Sequence, residues 1–328
     1  MSNKKFLKTK TGLYKTDKQS IRKFNDEFSV KLLRYKEINK LNSTYLIPII
    51  ARLQSDSRLH GQYNQSVVIT GRLSSSNPNL QNISTRTTEG HKIKDCFIPK
   101  EGTRLIIADY SQIELRVLAH FSQDRNLLDA FNNDVDVHEV TAKLIFDTQN
   151  PTKEQRFIGK TVNFARVYGA SANKLCMTIN NLGNVDKFYT VEQSQAIINK
   201  HKQVFSGVEL WKERTLKECR SKLDIKTVLG RPIPIENINS IIDRDRWEAE
   251  RCAVNYVIQG SSADIIKKCM LGLSNYNILA SVHDELVFES NIPDMDIIEI
   301  KTQMENCVQL NNVRLKVEAK ICDTWGEK

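Results

Sequence analysis

The sequence has no CxxC pair: its seven cysteines stand apart at 96, 176, 219, 252, 269, 307 and 322. None of these spacings suits zinc, so a zinc ribbon or finger is excluded and reduced thiols in a reducing, cytoplasmic compartment are expected. No stretch approaches the roughly 20 apolar residues of a membrane span, and the basic start MSNKKFLKTKTG has no apolar run behind it. No membrane partner is expected. Internal repeats and long low-complexity tracts are lacking too, which excludes solenoids and tail-dominated chains. Without a heptad seam to ask for a dimer, a monomeric core is expected.

What remains is a chain of 328 residues, 40% of them hydrophobic, enough for one large or two moderate cores. Its 48 Lys+Arg against 39 Asp+Glu give a formal charge of +9. That excess favours polyanionic partners, although a plain basic enzyme has the same signature.

A helical pattern runs from Asp17 to about Asn42 on Ile21, Phe24, Phe28, Leu32, Leu33, Tyr35 and Ile38. Ser66 to Ile69 reads as extended, and the Ser, Asn, Pro and Gly of TGRLSSSNPNLQN predict a surface loop over 70–82. TRLIIAD is a short apolar run closing on Asp109, and SQIELRVLAHF behind it repeats Ile113, Val117 and Phe121 at helical spacing. This reads as a strand leading into a helix. Helical periods fill 129–200, with breaks near 148–151 and 180–184, and return over 247–273 with Gly260 inside. ILASV and LVFE flank a tight turn at His283, Asp284 and Glu285, and residues 313–321 alternate apolar and polar. The fold class predicted is α+β, an antiparallel sheet with a helical insertion.

Asp109 ends one predicted strand and Asp284 lies in a hairpin turn. If those strands are neighbours, the carboxylates meet at one sheet edge, where divalent cations relieve their repulsion. Two such cations can activate a 3′ hydroxyl and stabilise a departing pyrophosphate. Taken singly, either aspartate also fits an ordinary turn or helix cap.

In RFIGKTVNFARVYGA, Arg156, Lys160, Phe164 and Tyr168 recur every fourth residue and form a stripe about 18 Å long on one helix face. Like charges at i and i+4 repel by a few tenths of a kcal/mol, and neither cation has an acid three or four residues away. They want an external anion. The alternative is an amphipathic helix with its aromatics in the core and its cations solvated.

Five segments resemble one family, the family A DNA polymerases, in the family's order from about residue 30 to the end. DYSQIELRVLAH (109–120) resembles motif A, RFIGKTVNFARVYG (156–169) motif B and SVHDELVFE (281–289) motif C. TGRLSSSNPNLQNI (70–83) is similar to the template and primer contact segment, and NYVIQGSSADI (255–265) to the helix near the primer terminus. The resemblance implies a right-hand polymerase: partial thumb over 1–60, palm over 61–122, fingers over 123–237 and palm again over 238–328.

It further implies that Asp109, Asp284 and the Tyr110 carbonyl bind two Mg²⁺ ions, with Glu285 supporting them and Asp109, Asp284 and Lys160 catalytic. Arg156, Lys160, Phe164, Tyr168, His138, Glu114 and Gln112 would contact the dNTP, Glu114 excluding a 2′ hydroxyl. Arg72, Arg251, Asn255, Gln259 and His283 would contact primer-template DNA, where Arg and Gln meet acceptors common to all base pairs. Taken alone, Glu114 fits an exposed helix acid and His138 a structural histidine.

Three departures stand out. Ala165 replaces the glycine usual after the nucleotide-side aromatic, and Phe164 in place of tyrosine implies discrimination against nucleotides lacking a 3′ hydroxyl. The region before the thumb's end is not represented, so the resemblance implies no proofreading. A minimal polymerase, one part of a split enzyme whose thumb or exonuclease region is a separate polypeptide, or a truncated piece of a longer chain is expected. The other readings are a noncatalytic primer-template-binding subunit and, within the enzyme class, a reverse transcriptase or single-subunit RNA polymerase. Glu114 and the His-Asp-Glu turn count against RNA synthesis.

Overall fold

In the computed structural model, which describes residues 8–9, 11–22, 24, 26–53, 55–83, 88–181 and 188–327, the chain divides into two units. The first holds the described residues of Met1–Asn64, Ser75–Ile98 and Thr324–Glu327, and the second holds Gln65–Ser74 and Pro99–Asp323.

The first unit contains α1 (Lys18–Arg22), α2 (Glu27–Lys40), α3 (Ile47–Ile50) and α4 (Thr88–Asp95), with a π-helical turn at Leu41–Leu46. Helix α2 starts where it does because Asp26 and Ser29 cap it reciprocally: Asp26 Oδ1 accepts from Ser29 N at 2.7 Å and Ser29 Oγ from Asp26 N at 3.0 Å. That cap splits the one helix expected over 17–42 into two. The expected apolar stripe is also corrected, since Ile21 is buried but Phe28, Tyr35 and Ile38 are exposed at 73%, 65% and 47%. At the other end of this unit Trp325 meets Phe97 edge-on at 5.3 Å, and the Lys94 ammonium sits 4.2 Å from the Trp325 ring centre.

Short strands β1 (Gln62–Asn64) and β2 (Ser74–Ser76) pair with each other. The extended piece expected at 66–69 is irregular instead. Nor is 70–82 a plain surface loop: Thr70, Ser75 and Leu80 are buried, and Leu80–Asn82 forms a 3₁₀ turn.

In the second unit, β3 (Arg104–Tyr110) leads through Ser111 and Gln112 into α5 (Ile113–Ser122), as the sequence predicts. There follow α6 (Arg125–Asn132), α7 (Val137–Phe146), α8 (Lys153–Val167), α9 (Ala172–Asn181), α10 (Val191–Val204) and α11 (Ser206–Lys222). A hairpin of β4 (Asp224–Lys226) and β5 (Pro232–Pro234) precedes the 30-residue α12 (Asp243–Gly272). The chain closes with β6 (Asn277–Val282), β7 (Glu285–Ser290), α13 (Pro293–Asn306) and β8 (Val317–Cys322).

The sheet order is β6-β7-β3-β8, every neighbour antiparallel. Strand β3 is central and Leu105–Ala108 are 0–2% exposed, which is why it reads as an unbroken apolar run rather than an alternating one. Leu105, Ile106 and Ile107 each contribute about 1.5–3 kcal/mol by burial. Around the sheet Ile106, Ile113, Val117, Ile258 and Phe288 belong to one core; Ile145, Ile158, Val162, Leu175, Ile179 and Ile197 of α7–α10 form another. The helical insertion thus carries its own core. Thr152 with Gln155, and Thr190 with Gln193, build capping boxes that start α8 and α10.

Candidate functional site

The register of the sheet decides where the acids go. Asp109, next to last on β3, lies opposite Glu285 at the start of β7, and the Tyr110 N–H donates to the Asp284 carbonyl at 3.1 Å. Asp284 and His283 form the turn between β6 and β7, His283 with φ +54° and exposed. Asp109 and Asp284 therefore occupy adjoining positions at one end of the sheet, both half-buried, with Glu285 buried beside them. Tyr110 fixes the strand end: its hydroxyl donates to Met304 O at 2.8 Å, and burial raises its pKa well above the usual phenol value.

Among the described residues no group of three or more His, Cys, Asp or Glu side chains gathers as a metal cage. Two carboxylates and a backbone carbonyl are hard oxygen donors too few to close a coordination shell. That set fits Mg²⁺, which takes one or two carboxylates and completes its octahedron with phosphate oxygens and water.

Helix α8 turns Ile158, Gly159, Val162, Asn163 and Val167 inward. Arg156, Lys160 and Tyr168 are exposed and Phe164 half-buried, so the stripe faces out of its own core. Gly159 allows this packing, because a Cβ there would lie 2.5 Å from His138 O on α7. Phe164 stands between two rings, His138 at 5.8 Å and Tyr168 at 6.5 Å, the latter stacked at 16°.

One premise of the sequence reading is corrected here. Arg156 does have an acid, supplied by another helix: its Nε donates to Asp136 Oδ2 at 2.7 Å, and Asp136 also caps α7 by accepting from His138 N. Lys160 forms no ion pair among the described residues.

Glu114 is buried at 6% rather than exposed on its helix. One carboxylate oxygen pairs with Arg72, and the other accepts from the Tyr168 hydroxyl at 2.8 Å. Burial and then the Glu114 charge raise the Tyr168 pKa well above its ordinary value, with Asp284 adding to the shift. Arg72, expected at DNA, is thus engaged within the protein. Gln112, at the start of α5 with φ +55°, leaves its Oε1 buried and unpartnered among the described residues.

On α12, Arg251, Asn255 and Gln259 recur every fourth residue and so share one face. Asn255 Oδ1 is another buried acceptor with no partner among the described residues. Arg251 packs beneath Gly169, where φ is +63° and a Cβ would come 2.6 Å from Arg251 Cγ, which ties α12 to the end of the stripe.

Sequence reasoning missed the residues that support these. Arg231 donates to Asp264 Oδ1 and to Thr70 O at 2.8 and 2.7 Å, holding the loop that bears Arg72. Asn163 bonds His138, Thr141 and His201. None of these carried a local signal, and Asp136, a common cap-forming type, lies inside a stretch that reads as helical over 129–200.

The model of DNA polymerase family A matches residues 1–327. The chain is 40% identical over 334 aligned residues to DNA polymerase I of Bacillus subtilis (strain 168), covering 97% of this chain and 37% of that protein. To the thermostable DNA polymerase I of Thermus filiformis it is 40% identical over 309 residues, covering 90% of this chain and 36% of that one. In structure it is similar to the POL domain of Pol1 from M. smegmatis, solved in complex with DNA primer-template and dNTP. The TM-score is 0.89 at 34% identity, over 98% of this chain and 58% of that one. The chain therefore spans a little over a third of the length of the curated relatives it matches.

Proposed function

The chain belongs to DNA polymerase family A, and on that footing we propose that it is a DNA-directed DNA polymerase adding deoxynucleotides to a primer 3′ end by two-metal phosphoryl transfer. The observation that carries this reading is the pairing of Asp109 beside Asp284 at one sheet end through the Tyr110 N–H to Asp284 carbonyl bond of 3.1 Å. Asp109, Asp284 and the Tyr110 carbonyl would hold the Mg²⁺ ions, with Glu285 supporting them. When bound, the ions supply activation of the primer hydroxyl and charge neutralisation on the leaving pyrophosphate.

The chain's own residues do the positioning. Lys160 and Arg156 attract the triphosphate and His138 donates a hydrogen bond to it. Phe164 lies along sugar and base, and Tyr168 offers a stacking face near the template. Glu114, held by Tyr168 and Arg72, fills the space a 2′ hydroxyl would need, and Gln112 has a spare acceptor nearby in sequence. Arg251, Asn255, Gln259, His283 and Arg72 would meet the primer-template.

In this reading residues 61–122 and 238–328 are the palm, 123–237 the fingers and 1–60 a partial thumb. A separate polypeptide supplying a thumb or exonuclease region belongs to the same proposal, and the exposed Phe28, Tyr35 and Ile38 of α2 support a covered face there. No helix among the described residues is long and apolar enough to cross a membrane.

Extension of a labelled primer on a defined template tests the function. Wild type should extend it, and Asp109→Ala and Asp284→Ala should each abolish extension while still binding primer-template. Extension by either variant refutes the metal assignment, and a wild type that binds without incorporating supports a noncatalytic holder instead.

A further inference from the structure

The sequence reading left open whether His138 donates to phosphate or is structural, and the polar cluster behind it bears on that choice. His138, Thr141, Asn163 and His201 are each no more than 4% exposed, and all are linked by hydrogen bonds. Counting donors orients every one of them. Thr141 has one hydroxyl proton with two acceptors in reach, Val137 O at 2.7 Å on its own helix and Asn163 Oδ1 at 3.2 Å, and the nearer takes it. Thr141 Oγ1 can then only accept, so the Asn163 atom 2.9 Å away is the amide nitrogen.

The second proton of that nitrogen points at His138 Nδ1, 3.1 Å away, which must therefore be a bare acceptor. Asn163 Oδ1 lies 3.1 Å from His201 Nε2 and accepts from it. His201 agrees, because its Nδ1 is buried with no partner among the described residues and a proton there would be an orphaned donor.

We propose that Asn163, braced by Thr141 and His201, is a positioning residue that locks neutral His138 with its proton on Nε2, aimed as a hydrogen-bond donor at the incoming nucleotide's phosphates. The last clause rests on the polymerase reading; the tautomer does not. His138 Nε2 has no protein partner among the described residues and keeps some contact with solvent, which leaves its proton available to a ligand. Burial also keeps the ring neutral, lowering its pKa to about 4, and Asp136, Lys160 and Arg156 are the charges that face it. Reversing the amide's polarity would reverse the ring: an acceptor at position 163 draws the proton to Nδ1 and leaves a lone pair facing phosphate.

The test is long-range ¹H–¹⁵N correlation on protein labelled with ¹⁵N-histidine, with the resonance missing in His138→Gln assigning the signal. Wild type should report a protonated Nε2 and a bare Nδ1, and adding dNTP with primer-template should shift Nε2. Asn163→Asp should move the proton to Nδ1 and raise the KM for dNTP about tenfold or more, with primer-template affinity unchanged. A wild-type Nδ1–H tautomer, or an Asn163→Asp ring identical to wild type, overturns the proposal. The wild-type spectrum decides even if that variant does not fold. A protonated Nε2 that dNTP leaves unshifted, in a protein that nonetheless extends primers, overturns the phosphate contact alone. If wild type also fails to extend, the polymerase reading is what has failed.

Discussion

Replacing Glu114 with alanine removes an acceptor from two residues at once. The Tyr168 hydroxyl loses a bond of 2.8 Å to a carboxylate whose side chain is only 7% exposed, and hydrogen bonds to charged groups in such places contribute about 1.5–3 kcal/mol. Arg72 is 32% exposed and rehydrates when released, so its half of the arrangement adds no more than about 1 kcal/mol. The expected loss is about 3 kcal/mol, or roughly 6–12 °C in melting temperature for a unit of this size. Glu114→Gln keeps the bulk and an acceptor for Tyr168, so it should lose less than half as much. Circular dichroism melts of the three proteins measure this. The functional arm compares kcat/KM for deoxy- and ribonucleotides: alanine opens space and should cut discrimination about tenfold or more, a change of about 1.4 kcal/mol, while glutamine retains it. An alanine variant that melts within a degree of wild type would refute the buried clamp, and glutamine relaxing discrimination as far as alanine would refute the steric argument.

Three further outcomes follow from other contacts. Gly159→Ala puts a methyl 2.5 Å from His138 O and 3.2 Å from Ala142 N, so α7 and α8 must part; urea denaturation should show a loss of about 1–3 kcal/mol, with dNTP binding weakened. Arg231→Ala strips a part-exposed cation from Asp264, itself 9% exposed, and frees the Thr70 carbonyl; about 2–3 kcal/mol should be lost, and proteolysis should accelerate within 65–74. For His138, burial lowers the folded pKa to about 4 against 6.5 unfolded, so the unfolded chain binds the proton first. Its contribution is complete above pH 6.5 and is lost as pH falls toward 4, a change of about 3 kcal/mol that His138→Gln should remove from a stability-versus-pH curve.

The sheet and helices were legible where the periodicity was strong. LIIA on β3 is apolar without alternation because both faces are covered, and α8 falls within the helical periods of 129–200 because it has a clean inner face of Ile158, Val162 and Val167. The β4–β5 hairpin and α13 were not anticipated, since Asp-Ile-Lys and Pro-Ile-Pro are three-residue strands too short to show a period. On α2 the pattern was present but misread. Phe28, Tyr35 and Ile38 have helical spacing yet lie exposed, and periodicity reports that a face is apolar, never what covers it.

The site was legible as a set of residue types and not as a set of charges in contact. Reasoning along α8 could see that Arg156 and Lys160 lack an acid within the helix, but not that Asp136 arrives from α7. The consequence is an ordering of the cations. Lys160 needs no partner exchange to meet a phosphate. Arg156 must leave Asp136, yet that pair is 50% and 26% exposed and contributes at most about 1 kcal/mol, so a triphosphate with its greater charge competes for it readily. Arg72 is bound to a carboxylate 7% exposed, and withdrawing it would strand a buried charge, which is the costlier event. Arg72 therefore acts first on the protein, holding Glu114 beneath the sugar, and reaches nucleic acid only with its remaining donors. A sequence lists these three residues as equals; burial of their counter-ions ranks them.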